Sequence, residues 1–141
     1  MRTPKNQSFF RRLGFALAGL RDGIRAEHSL RFQVAACACV LVALCIFRPE
    51  AIWWAVTALA SAIVIMAELF NTAIEHLVDH LHPEAHPRIG MVKDIGAAAV
   101  LMSVLGALSV AAALVGFDIA RPYRQSILKA LNDPLCFAIH C

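Results

Sequence analysis

Three long apolar segments leave this chain few ways to fold in water. They cover residues 32–47, 51–69 and 95–117, in a chain of 141 residues that is 60% hydrophobic and 16% charged. A helix that crosses a bilayer needs roughly 17–25 apolar residues, and the first segment is at the short end of that range. The sequence therefore predicts an all-α membrane protein with three transmembrane helices, the first of them tilted or in locally thinned bilayer.

The segment before Phe32 has a different character, because seven of the 13 lysine and arginine residues lie in it. Apolar side chains recur there at helical spacing, at Phe9, Leu13, Leu17, Leu20 and Ile24. This pattern predicts an amphipathic helix in the membrane interface. A cleaved signal peptide is the competing interpretation, but its apolar core would be short and interrupted.

The basic residues also indicate the orientation of the spans. Only Arg48 lies in the first connection, whereas Arg88 and Lys93 lie in the second. The positive-inside rule then places the N-terminus and the second connection, residues 80–92, in the cytoplasm. After three spans the tail, residues 118–141, is expected outside.

The charge balance and the cysteines add two smaller expectations. The net charge of +3 comes mainly from arginines close to the membrane, which suit anionic headgroups, so no nucleic-acid partner is expected. Cys136 and Cys141 lie in the tail and could form a disulfide in an oxidising compartment.

A polar stripe follows the second apolar segment. Glu68, Asn71, Glu75 and Asp79 are three or four residues apart, so they share one face of a helix. If the span begins at Ala51, Glu68 follows about 26 Å of helix and lies near the cytoplasmic boundary. A carboxylate is costly in a bilayer, so such a residue faces protein, water or a ligand.

The chemistry of the stripe suits a metal ion with phosphate. Carboxylate oxygens bind Mg²⁺, and Glu27 at the end of the amphipathic helix could complete such a site. Lys93-Asp94 is predicted to open the third helix, where a cation and free amide groups favour anions. Interhelical hydrogen bonding in a scaffold, a proton relay in a small transporter and an ordinary helix start remain open alternatives.

The spacing of these residues resembles the signature of the prokaryotic diacylglycerol kinase and undecaprenol kinase family, most of all its diacylglycerol kinases. The resemblance covers about residues 9–117 and rests on five motifs. They are Glu68-x-x-Asn71-Thr72-Ala73-Ile74-Glu75-x-x-x-Asp79, Glu84-x-His86-Pro87, Lys93-Asp94, Gly19-Leu20-Arg21 and Glu27-x-x-x-Arg31.

The resemblance implies a homotrimeric lipid kinase of the bacterial inner membrane, with the active site in the cytoplasm. It would transfer the γ-phosphoryl group of MgATP to a lipid hydroxyl, either of diacylglycerol or, as the alternative, of undecaprenol. Residues 1–117 would form one kinase domain. Its expected parts are the interfacial segment 1–31 and spans at about 32–47, 51–79 (with a cytoplasmic extension) and 93–117. The resemblance gives the tail no role.

The resemblance also implies roles for individual residues. Glu68 would be the general base and, with Arg31, would contact the lipid, while Glu27 and Glu75 would hold Mg²⁺. The nucleotide-binding residues that it implies are Arg11, Glu27, Asn71, Glu75, Asp79, Glu84, His86, Lys93 and Asp94. Three positions depart from the family pattern: Ala16 and Ala85 lack the expected nucleotide contacts, and Gln33 stands where some diacylglycerol kinases have an acidic residue.

Overall fold

The computed structural model describes residues 8–131, which form four α-helices and contain no β-strand. The helices are α1 (Phe9–Ala26), α2 (His28–Phe47), α3 (Ala51–Leu81) and α4 (Pro87–Leu131). In this part of the chain, α2, α3 and α4 are long and apolar enough to cross a membrane. The predicted all-α membrane fold with three spans is therefore confirmed.

A break at Glu27 separates α1 from α2. Glu27 has extended backbone angles, and its amide donates to the carbonyl oxygen of Gly23 at 2.9 Å, which closes α1. A Cβ atom at Gly23 would lie 3.1 Å from a methyl group of Leu69, so the glycine lets α1 approach α3 closely. α1 therefore lies against the end of α3 that carries the polar stripe.

The first span is longer than its apolar segment. α2 has 20 residues and begins at His28, because the helix includes the polar residues that precede Phe32. A helix of this length can cross a bilayer, and its apolar part is still residues 32–47, so tilt or local thinning of the bilayer stays a prediction. α2 ends at Phe47, and α3 begins at Ala51, as the sequence predicts.

α3 and α4 form an antiparallel pair along most of the bundle. Trp53 near the start of α3 contacts Phe117 of α4, with ring centroids 5.6 Å apart, and Asp79 near the end of α3 contacts Lys93. The partly buried positions of α4 recur at intervals of three and four, and include Ile89, Lys93, Gly96, Val100, Ser103, Ala107, Val110, Leu114 and Phe117. This spacing is typical of two helices that pack along a heptad seam.

α4 differs most from its predicted bounds. It begins at Pro87, not at Lys93, because proline is well suited to the first position of a helix. It also continues through Pro122 to Leu131, beyond the predicted end at residue 117. Cys136 and Cys141 lie outside the described residues.

Candidate active site

The side chain of Glu68 is the buried acid at the centre of the candidate site. It is 4% exposed and faces α2 from α3. Ser29 Oγ donates a hydrogen bond to Glu68 Oε1, and Gln33 Nε2 donates to Glu68 Oε2 at 3.0 Å. Both carboxylate oxygens therefore have a polar partner, which offsets the cost of burying the charge.

Ser29 and Gln33 reach Glu68 together because they lie one turn apart on the same face of α2. Ser29 is a functional candidate that the sequence analysis missed, and Gln33 was noted only as a departure from the family pattern. Their four-residue spacing at the start of a span was the available signal. The sequence could not tell which acid on α3 they would face.

The next turn of α3 carries Asn71 and Glu75. Asn71 Nδ2 donates to Glu75 Oε1 at 2.9 Å, while Asn71 Oδ1 is buried without a hydrogen-bond partner in the described residues. Gly96 of α4 lies directly against it, since a Cβ atom added there would clash with Asn71 Oδ1. The position of the Asn71 amide thus depends on a glycine at position 96.

The two acids with a predicted metal role lie at the same end of the bundle. Glu27 Oε1 is 3.3 Å from His76 Nε2, and His76 follows Glu75 directly on α3. Within residues 8–131 no group of three or more histidine, cysteine or acidic side chains could hold a metal ion by itself. Mg²⁺ commonly takes one or two carboxylates together with phosphate oxygens, so this donor set fits a metal that arrives with a nucleotide.

An ion pair between Asp79 and Lys93 closes the outer end of the stripe. Lys93 Nζ donates to Asp79 Oδ1 and so joins the ends of α3 and α4. Because α4 begins at Pro87, Lys93 and Asp94 lie in its second turn and not at its N-terminus. The predicted anion site at the free amides of a helix start is therefore wrong at Lys93, although its ammonium group remains near the stripe.

The connection between α3 and α4 contributes a surface cavity of about 510 Å³ with a mixed polar and apolar lining. Glu84 and His86 line it, together with Arg88. His86 Nδ1 accepts a hydrogen bond from the amide of Arg88 at 3.2 Å, which orients the ring within the connection. The two predicted nucleotide-binding residues of this connection thus share one cavity.

Arg11 and Arg31 are not joined to the stripe. The Arg11 guanidinium lies 5.9 Å from the centre of the Phe15 ring on α1, and the Arg31 amide bonds the carbonyl oxygen of Glu27. Both side chains are exposed, and no described hydrogen bond or ion pair connects them to Glu68 or Glu75. Their predicted contacts with phosphate and lipid stay predictions.

An apolar groove of about 700 Å³ runs along α1, α2 and α3 beside Glu68, and the sequence analysis did not foresee it. Leu20 of α1 and Leu69 and Phe70 of α3 line it, and Leu69 follows Glu68 directly. The lining is almost entirely apolar, so the groove suits an alkyl chain. A chain bound there would contact Leu69, the residue next to Glu68.

The helices define an integral-membrane protein in which a buried acid, Glu68, begins a polar stripe next to an apolar groove. The sequence model of the prokaryotic diacylglycerol kinase family matches residues 14–115. This chain belongs to that family, which confirms the predicted resemblance. The family comprises lipid kinases, so the protein is a membrane enzyme that uses ATP and a lipid substrate, typically with a divalent metal.

The names of the matched relatives indicate two different lipid substrates. A diacylglycerol kinase of Haemophilus influenzae is 32% identical over 91 residues, which are 64% of this chain and 76% of the relative. An undecaprenol kinase of Bacillus subtilis is 34% identical over 92 residues, 65% of this chain and 75% of the relative. A diacylglycerol kinase of Escherichia coli is 32% identical over 95 residues, 67% of this chain and 78% of the relative.

Replacing Gly96 with alanine is expected to lower turnover about tenfold, because the new methyl group displaces the Asn71 amide and breaks its hydrogen bond to Glu75. The measurement is lipid-dependent ADP release by the purified variant. Gly106→Ala is the matched control, since a Cβ atom there meets nothing within 4 Å. Equal turnover in both variants would contradict the role given to this contact.

Proposed function

We propose that this protein phosphorylates the free hydroxyl of diacylglycerol with MgATP and forms phosphatidic acid. The observation that carries the proposal is the position of Glu68. It is buried, its neighbour Leu69 lines the apolar groove, and the polar stripe extends from it towards the connection between α3 and α4. A lipid chain in the groove and a nucleotide at the stripe would therefore meet at this carboxylate.

Glu68 is the proposed general base. The lipid hydroxyl donates its proton to a Glu68 oxygen as its own oxygen attacks the γ-phosphorus of ATP. A new oxygen–phosphorus bond forms, the bond from the γ-phosphorus to the bridging oxygen breaks, and ADP leaves with the electron pair. The hydrogen bonds from Ser29 and Gln33 hold the carboxylate in place before the substrate arrives.

Glu27 and Glu75 are the proposed ligands of Mg²⁺. When bound, the metal would neutralise charge on the ATP phosphates, which is a main requirement of phosphoryl transfer. Each carboxylate uses one oxygen in a described hydrogen bond, Glu27 with His76 and Glu75 with Asn71. The Asn71 amide orients Glu75, so the two acids would meet a metal with part of the site already ordered.

The nucleotide is proposed to lie across the outer turns of the stripe and the connection between α3 and α4. Lys93 supplies positive charge there, and its bond to Asp79 fixes its direction. The remaining proposed contacts are Arg11, Glu84, His86 and Asp94. Arg31, one turn after Glu27 on α2, is proposed to contact the lipid headgroup region.

Undecaprenol is the second candidate substrate, because the matched relatives include an undecaprenol kinase at 34% identity.

The proposed location is the bacterial inner membrane, with the Glu68 end in the cytoplasm and the end of α4 outside. The charge distribution of the connections supports this orientation. A homotrimer is also proposed, and the many exposed apolar side chains on α2 and α4 are compatible with contacts between copies.

The substrate proposal is tested by ADP release from purified protein in mixed micelles. Diacylglycerol and undecaprenol are offered separately, with Mg²⁺ and with a chelator. We expect release that requires both diacylglycerol and Mg²⁺. Faster ADP release with undecaprenol than with diacylglycerol would overturn the substrate assignment. ADP release that neither lipid increases would overturn the kinase proposal.

A further inference from the structure

Glu68 is the proposed general base, yet little of its side chain can be reached. It is 4% exposed, and each of its carboxylate oxygens already accepts a hydrogen bond from a side chain of α2. A general base must lie within hydrogen-bonding distance of the proton that it removes, or be joined to it through one bridging group such as a water. The burial of Glu68 therefore favours a bridging group over direct contact with the lipid hydroxyl.

Ser29 is the donor to Glu68 that can act as this bridge. Ser29 is exposed, and its Oγ donates a hydrogen bond to Glu68 Oε1. A serine hydroxyl has one donor and two acceptor lone pairs, so it can give a proton to one partner while it takes a proton from another. The other donor, Gln33, is half-buried, and its NH₂ group can only donate. Of the two, Ser29 alone can pass a proton on to the carboxylate.

The face of α2 that carries Ser29 also reaches the apolar groove. Ser29, Gln33 and Cys37 are spaced four residues apart on α2, and Cys37 lines the groove. Ser29 precedes Cys37 by about two turns, or about 12 Å of helix. On α3, Leu69 lines the same groove and directly follows Glu68. The two partners of the short relay, Ser29 and Glu68, are thus each linked to the groove by their own helix.

Ser29 is close to the proposed phosphate site as well. Glu27, a proposed metal ligand, precedes Ser29 by two residues at the break between α1 and α2. The exposed hydroxyl of Ser29 therefore lies between the proposed metal ligand on its own helix and the buried acid on α3. This is the region in which the acceptor hydroxyl and the γ-phosphate must meet if the proposed function is correct.

We propose that Ser29 is a catalytic residue that relays the proton of the lipid hydroxyl to Glu68. The proposal rests on the proposed function and refines it, since Glu68 remains the final proton acceptor. Before the reaction, the lipid hydroxyl donates a hydrogen bond to Ser29 Oγ, while Ser29 Oγ donates to Glu68 Oε1.

Two protons then move in one step. As the lipid oxygen attacks the γ-phosphorus of ATP, its proton passes to Ser29 Oγ, and the proton of Ser29 passes to Glu68 Oε1. The new oxygen–phosphorus bond forms, the bond from the γ-phosphorus to the bridging oxygen breaks, and ADP leaves with the electron pair. Ser29 is again a neutral hydroxyl at the end of the step, and Glu68 carries the proton.

Replacing Ser29 with alanine is expected to lower turnover by about 10²-fold or more, because the path to the general base is lost. Alanine favours helices, so α2 should be retained. Ser29→Thr keeps a hydroxyl and should recover most of the turnover that alanine removes. Ser109→Ala is the matched control, since Ser109 Oγ is exposed on α4 and bonds the carbonyl oxygen of Leu105 in its own helix. The measurement is the single-turnover rate of phosphoryl transfer to diacylglycerol in mixed micelles.

The same rate in mixtures of H₂O and D₂O separates a relay from a purely positioning role of Ser29. Transfer of two protons in one step makes the rate a curved function of the deuterium fraction, whereas transfer of one proton directly to Glu68 makes it a straight line. We expect a curve for the unaltered protein and a straight line for Ser29→Ala. A straight line for the unaltered protein would overturn the relay and leave Ser29 as a positioning residue.

Glu68→Gln is measured in parallel, so that failure of the relay differs from failure of the proposed function. If Ser29→Ala were as fast as Ser109→Ala while Glu68→Gln had lost turnover, the relay would be overturned and direct transfer to Glu68 would stand. If Glu68→Gln were as fast as the unaltered protein, the general base and the relay would be overturned together.

Discussion

Replacing Glu68 with glutamine is expected to lower lipid-dependent turnover by about 10²–10⁴-fold, the usual contribution of a general base. Glutamine keeps the shape of the side chain but cannot take the proton of the lipid hydroxyl. Nucleotide binding should change little, because the proposed nucleotide contacts lie further along the stripe. The measurement pairs the rate of ADP release with the affinity for a non-hydrolysable ATP analogue.

The surroundings of Glu68 are expected to tolerate this change. Ser29 can still donate to the side-chain oxygen that remains at position 68. Gln33 Oε1 is buried without a partner in the described residues, so a 180° rotation of the Gln33 amide would let this oxygen accept a hydrogen bond from the new amide group. Glu50→Gln is the control, because it makes the same substitution at the opposite end of the bundle. Turnover in Glu68→Gln close to that of this control would reject Glu68 as the base.

Replacing Glu75 with glutamine is expected to lower the maximal rate and to raise the Mg²⁺ concentration required for half-maximal turnover by at least about tenfold, the smallest usual effect of changing a residue that only supports a metal ligand. One of the two proposed carboxylate ligands is lost. The hydrogen bond from Asn71 Nδ2 can persist, because glutamine retains an acceptor oxygen. The effect would then arise from charge and not from a rearranged site.

The test for Glu75 is a Mg²⁺ titration of turnover at saturating ATP and lipid. Gly96→Ala provides a useful comparison, since it should disturb the same side chains without removing a charge. A lower rate in Glu75→Gln with unchanged Mg²⁺ dependence would argue against a ligand role. If Glu27→Gln also left the Mg²⁺ dependence unchanged, neither carboxylate would be a ligand of the metal.

Local sequence patterns were sufficient to predict the helices and one face of the site. The spacing of Glu68, Asn71, Glu75 and Asp79 depends on the helical repeat alone, and the structure places all four on α3. The family followed from the same spacing. Helix ends were less predictable, because Lys93 and Asp94 resemble a helix start although Pro87 can begin the helix earlier.

Contacts between helices could not be read from such patterns. Ser29 is 39 residues from Glu68 in sequence, and Gly96 is far from Asn71, so neither contact has a local signal. Each depends on the rotation and depth at which two helices pack. A polar residue in a span indicates that a partner is required, but the partner is identified only when the bundle is assembled.

The central claim is that this protein transfers a phosphoryl group to a lipid hydroxyl through Glu68. The most direct measurement is transfer of label from γ-labelled ATP to lipid by purified protein in mixed micelles, with diacylglycerol as acceptor and Glu68→Gln in parallel. We predict labelled phosphatidic acid from the unaltered protein and almost none from the variant. Absence of labelled lipid from folded protein, or equal labelling by the variant, would contradict the account.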